Sequence, residues 1–308
     1  MVEQLGDNVM KRMAVLMMMA LAGGVSAAPD WSQAPVRKMK LFYPGQASLE
    51  WVMNKPDHSA APDISDKKRS CAKCHEGDAN EIGDKIVKGQ PVGSSKTVLE
   101  PNPVKGKLGF VPVAFQSVYD ADKIYFRFEW NSPPGGDKKL DAKNEVKLTM
   151  MFDGGGTVDG SNLNGCWATC HQDLRTMKSP KDDKKTKYIK DADLGSGKFM
   201  DLMQYRSGKG EKPVDGYVAA TREMDGGKSL IKAEGKKEGD KWVVVLERSL
   251  ASAGKGDHTI ASGKIYNFGF AIHEDYANAR FHYVSLGYQF GLDQEVPGVK
   301  SHINVIKQ

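Results

Sequence analysis

Cysteine is scarce in this chain, and long apolar runs are scarcer. Four cysteines in 308 residues are too few for the disulfide-dense scaffolds that replace a hydrophobic core in small secreted proteins. Past residue 22 no stretch approaches the roughly 20 apolar residues that a membrane-spanning helix needs, so no span is expected in the mature chain. One-sided charge is lacking as well. The 44 basic and 39 acidic side chains leave a net charge of +5, and the lysine run "KDDKKTK" (181–187) is interleaved with aspartate, as in a solvated loop. Nucleic-acid binding has no support beyond this mild basicity. Internal repeats are missing too, apart from one short pattern that consumes all the cysteine there is.

That pattern is "CAKCH" at 71–75 and "CWATCH" at 166–171. Cys71 and Cys74 are followed by His75, and Cys166 and Cys170 by His171. The first spacing, C-x-x-C-H, is the attachment pattern of c-type haem. Two thiols add across the two vinyl groups of the porphyrin, and the next histidine then lies beneath the iron as its proximal ligand. The second cluster is one residue longer and meets the same demand if its loop bulges; it leaves open whether both of its thiols attach. Two disulfides would be the ordinary use of four cysteines in an exported chain, but they give no reason for a histidine after each pair. Zinc could use the same six ligands, and export argues against it. Two covalently bound haems c are therefore expected.

The N-terminus points to export. Lys11 and Arg12 form a basic start, residues 14–22 an apolar core, and "VSA" (25–27) a small-residue cleavage site, so residues 1–27 are expected to be a cleaved signal peptide and the protein periplasmic. Residues 28–105 are rich in Pro, Lys and Asp and show little periodicity. They are expected to form a small irregular, partly helical c-haem segment, with one short helix over 80–89 ended by Gly89. From 106 to 308 the pattern changes to strands: 123–130, 146–152, 241–250, 265–272 and 281–288 alternate or run apolar between Gly- and Pro-rich turns. The fold class predicted is mainly β, an antiparallel β-sandwich. A long polar insertion at about 153–215 carries the second cysteine cluster.

Each iron needs a sixth ligand or an open position. His58, in the loop "NKPDHSAAP", lies close enough in sequence to fold over the first haem, with Met53 as its competitor. His282, expected to share a strand face with Val284 and Leu286, is the candidate at the second; His273, Met150, Met151 and Met177 are its alternatives. His258 and His302 read as surface residues.

The stretches "VAFQSVYDADKIYFRFEW", "VKLTMMFDGG", "GCWATCHQDLRTM" and "FGFAIHEDYANARFHYVSLGY" resemble the haem-binding domain of the ethylbenzene dehydrogenase gamma subunit and, more closely, its exported multihaem c-type cytochrome relatives. The resemblance covers about residues 40–290. It implies a β-sandwich around haem, with axial roles of the gamma subunit's Met and Lys falling on the "TMMF" strand and on His282. The chain departs from that subunit by its added "CAKCH" segment and its cysteine-bearing insertion. The group's proteins pass electrons to or from molybdenum enzymes or serve respiratory chains. The expected function is thus a dihaem electron carrier between a membrane quinol-oxidising complex and a terminal reductase or molybdenum enzyme. Two alternatives stand beside it: an oxidoreductase with an open iron acting on a small nitrogen or sulfur compound, and a permanent haem subunit of a molybdenum enzyme.

Overall fold

Alternating apolar side chains build most of this molecule. The computed structural model describes residues 28–94, 96–134, 140–169, 188–228 and 231–308, and Trp31–Gln308 forms one compact unit. Residues 1–27, Cys170, His171 and Met177 lie outside the described residues. The strands are β1 (Arg37–Phe42), β2 (Phe110–Tyr119), β3 (Lys123–Asn131), β4 (Lys147–Asp153), β5 (Met200–Arg206), β6 (Val214–Val218), β7 (Arg222–Glu223), β8 (Lys232–Glu238), β9 (Lys241–Ser249), β10 (Tyr266–His273), β11 (Tyr283–Val284), β12 (Tyr288–Leu292) and β13 (His302–Lys307). The helices are short: α1 (Leu49–Met53), α2 (Ala61–Ser65), α3 (Cys71–His75), α4 (Ala79–Val87) and α5 (Ser161–Asn164), with a 3-10 turn over Gly165–Thr169. The fold is mainly β.

The strands hydrogen-bond in the order β7-β6-β5-β4-β10-β11-β1-β2-β3-β9-β8, and β12 and β13 bridge β10 to β2 by a second route. Two wings therefore face each other and are joined at both ends. Their inner faces meet through phenylalanine: Phe115 of β2 stacks on Phe268 of β10 at 5.5 Å, and Phe128 of β3 meets Phe270 at 4.9 Å. The predicted inward sets are buried as the period of two requires; Ile124, Phe126 and Phe128 are fully enclosed, as are Val146, Leu148, Met150 and Phe152.

Four expectations change. The sheet is not wholly antiparallel, because β13 runs parallel to both β12 and β2. The polar insertion at 153–215 supplies β5 and the start of β6, and β1 comes from the stretch read as irregular and pairs with β2 along its whole length. The run 281–288 is not one strand. Ser285 leaves the ladder: its hydroxyl accepts from the Phe270 N–H at 3.0 Å, and its own N–H donates to the Phe270 carbonyl. At Gly287 a Cβ would come within 2.6 Å of the Gly165 nitrogen, so the chain bends there to admit the turn that carries the second cysteine cluster. The short helix at 80–89 is present as α4, and Gly89 beyond it is left-handed (φ 69°).

Candidate functional site

A single turn of helix gathers the first cluster. Ser70 caps α3 by accepting from the Lys73 N–H at 3.3 Å, and positions i, i+3 and i+4 of a helix share one side, so Cys71, Cys74 and His75 are grouped by their spacing alone. His75 Nδ1 lies 3.0 Å from Asp78 Oδ1. His58 is delivered by the turn after α1, where its N–H donates to the Asn54 carbonyl at 2.9 Å, and its Nδ1 donates to the Val52 carbonyl at 3.0 Å. The two rings stand 6.0 Å apart between centroids. Both imidazoles have Nδ1 committed, the usual arrangement for a ligand that binds through Nε2. Two metal–imidazole bonds of about 2 Å each place opposed ring centroids roughly 6 Å apart, so this pair fits axial ligation of one iron. Burial lowers the His58 pKa, with the neighbouring His75 adding to the effect, and so favours the neutral ring a metal requires. Met53 sits half-buried at the end of α1 and packs against the main core.

Burial pushes the Cys71 thiol up to about 12. Cys71 and Cys74 are not joined to each other by a disulfide. Among the described residues, no group of three or more His, Cys, Asp or Glu is placed to hold a metal ion.

The second cluster is built on the sheet. Buried Asp153, ending β4, accepts from the N–H groups of Gly155 and Gly156 and from the Ser161 hydroxyl, which folds the following loop back into α5. The 3-10 turn then brings Cys166 against β10, where a Cβ on Gly269 would lie 2.8 Å from Cys166 Sγ. Trp167 stacks on Phe42 of β1 at 5.9 Å. Beside them opens a cavity of about 390 Å³ whose wall includes Cys166, Met151, His273 and His282, with Lys147 and Arg222 supplying positive charge. An apolar cavity with a thiol and imidazoles on its wall fits a haem; Lys147 is already paired with Asp141 at 2.6 Å.

The two faces of β4 separate the methionines. Met150 points into the sandwich core and is fully buried, so its candidacy fails; Met151, on the opposite face by the period of two, lines the cavity. His282 lies just before β11 and not within a strand; it and Val284 line the cavity, whereas Leu286 does not. His282 Nδ1 and His273 Nε2 both donate to the Ala279 carbonyl, at 2.7 and 2.9 Å. Burial, and next the nearby His282, hold the His273 pKa well below the ordinary value. His258 is not a surface residue: its ring stacks on Phe199 at 4.0 Å and its Nε2 donates to the Phe199 carbonyl. The polar letters around it belong to a loop that folds over the buried Asp201–Arg248 pair, where the His258 N–H donates to Asp201. His302 is half-buried in β13 and donates to the Gln294 carbonyl at 2.7 Å.

One residue without any sequence signal joins the two clusters. Asn164, almost fully buried, ends α5 two positions before Cys166, and its Oδ1 accepts from Cys71 Sγ at 3.1 Å. The segments carrying the two cysteine clusters thus touch.

A mainly β fold with cysteine–histidine clusters on adjoining segments defines a protein of the c-type cytochrome class. The chain belongs to the ethylbenzene dehydrogenase family, whose sequence pattern matches residues 28–237. It is 43% identical to cytochrome c-552 of Stutzerimonas stutzeri over 275 residues, covering 89% of this chain and 91% of that protein. It is 31% identical to cytochrome c-551 of Rhodocyclus tenuis over 283 residues, 91% of this chain and 100% of that one. Among solved structures, a family 9 carbohydrate binding module from Caldicellulosiruptor kristjanssonii matches at a TM-score of 0.29 with 11% identity, over 57% of this chain and 65% of that one; a likeness this low carries no argument.

Proposed function

We propose that this protein is a periplasmic electron carrier bearing two haems c. The first would be held through Cys71 and Cys74, with His75 and His58 as iron ligands; the second would be held through Cys166 and Cys170, with His171 and His282 as iron ligands. Haem c, when bound, supplies one-electron chemistry at its iron. The chain's own residues do the rest. Asp78 and the Val52 and Ala279 carbonyls orient the imidazoles, and the wings of the sheet exclude water. Its partners are a quinol-oxidising membrane complex on one side and a terminal reductase or molybdenum enzyme on the other. Residues 1–27 are read as the cleaved export signal. Among the described residues no helix is long and apolar enough to cross a membrane.

The observation that carries this reading is the 6.0 Å separation of the His58 and His75 rings. An iron held by both imidazoles would have no position left for a substrate, which favours a carrier over an enzyme. Adding carbon monoxide to the reduced protein at neutral pH tests it. The absorption spectrum is expected to stay unchanged; a shifted Soret band would mark an open iron and support the oxidoreductase alternative.

A further inference from the structure

We propose that His273 tunes the redox potential of the second haem by sharing the hydrogen-bond acceptor of its axial ligand. The proposal rests on the reading of His282 as that ligand and assigns His273 a role as a positioning residue acting through Ala279. A carbonyl oxygen only accepts, so both nitrogens aimed at Ala279, His282 Nδ1 at 2.7 Å and His273 Nε2 at 2.9 Å, carry hydrogen. Both tautomers are fixed by this. On His282 this leaves Nε2 as the nitrogen that a ligand would use. His273 keeps a bare Nδ1 that is buried without a hydrogen-bond partner among the described residues, an arrangement that carries a cost. The rings stand 5.0 Å apart and both lie on the wall of the cavity beside Cys166.

The connecting loop is held in an unusual shape. Asp275 (φ 50°), Tyr276 (φ 62°) and Ala279 (φ 55°) are all left-handed without being glycine, a region few such residues occupy. It is tied down by the Tyr276 N–H donating to Glu145 and by Asn278, which receives the Lys147 ammonium and the Ala279 N–H. Such conformations persist where surrounding structure enforces them. Here the result is one carbonyl held between two imidazoles.

A ligand histidine that donates its second N–H to a carbonyl becomes a more basic ligand. When a second donor occupies the same oxygen, the bond to the first weakens and the ligand becomes less electron-rich. Second-shell hydrogen bonding of this kind sets haem potentials. His273 therefore holds the second centre at a higher potential than His282 and Ala279 would set alone.

The test is potentiometric titration of the haem-loaded protein carrying His273→Phe or His273→Gln, with optical spectra taken throughout. His273→Phe is expected to lower one of the two midpoint potentials while the low-spin spectrum persists, and His273→Gln, which keeps an N–H donor, to restore most of that shift. Equal shifts in the two variants, or none in either, would overturn the proposal. If the Phe variant does not fold, His273→Ala, which removes the donor without adding volume, is read in the same way. His282→Ala separates this from the underlying ligand assignment. A low-spin spectrum unchanged by His282→Ala refutes that assignment and the tuning with it, whereas an altered spectrum beside unmoved His273 potentials refutes the tuning alone.

Discussion

The two cysteine clusters stand on different foundations. The first lies on a strap of helices, α1 to α3, each five residues long. Helices of that length do not persist in water without tertiary support, and the strap contributes little apolar burial of its own beyond Leu49, Trp51, Ala61, Ile64 and Ala72. The second lies against strands whose inner faces are packed with fully buried phenylalanines, and its cavity is shaped by the sheet. On the proposed function, one unit would house the same cofactor class in two ways, on a strap of short helices and against a packed sheet.

Removing the first cluster should expose that difference most strongly. In Cys71→Ala/Cys74→Ala, intact mass is expected to fall by one of two haem increments of about 616 Da. Amide exchange should rise steeply over residues 49–75 and stay low in β2, β3 and β9; a strap as protected as before would break the comparison. A smaller effect is expected inside the sheet. Arg248 and Asp201 form a fully buried pair at 2.5 Å, and breaking such a pair from one side costs about 3–5 kcal/mol. Arg248→Ala should show that loss in denaturant titrations of the protein made without haem, and a loss near zero would mean the sheet does not stand alone. The smallest effect concerns Asp215 on β6. Burial first, then Asp257 and Asp201, raise its carboxyl from 3.8 to about 7. A folded-state pKa above the unfolded value means that ionisation opposes folding, with the full penalty above about pH 7 and none below the unfolded value. Asp215→Asn is therefore expected to raise Tm at pH 8 by an amount that vanishes toward pH 4.

The two foundations also explain what could be read in advance. His75 follows Cys74 because one helical turn makes the site, so the site is written in five consecutive letters. The strands β3, β4, β9 and β10 were equally plain, since an alternating pattern fixes both element and face. Met150 and Met151 show where reading fails: adjacent letters point to opposite faces, and only the cavity's position says which one matters. β5 hid in a polar stretch because Asp201 is buried with a charge partner from β9, and no local pattern announces a partner 47 residues away. Asn164 and Ala279 carry no signal at all. Their roles come from where the backbone puts an amide and a carbonyl. Gly165, Gly269 and Gly287 were the available clue, because close packing of the turn against β10 leaves no room for a Cβ at Gly269 or Gly287.

The pairing of β1 carries a consequence for how the molecule assembles. Phe42 lies opposite Val284, and Ile306 lies beside Val118, so both routes around the sheet are closed by partners far apart in the chain. Contacts of such long sequence separation form slowly, because the intervening loop must be closed before they reward the chain. The joins of β1 to β11 and of β13 to β2 are therefore expected to form after local hairpins such as β2–β3 and β8–β9.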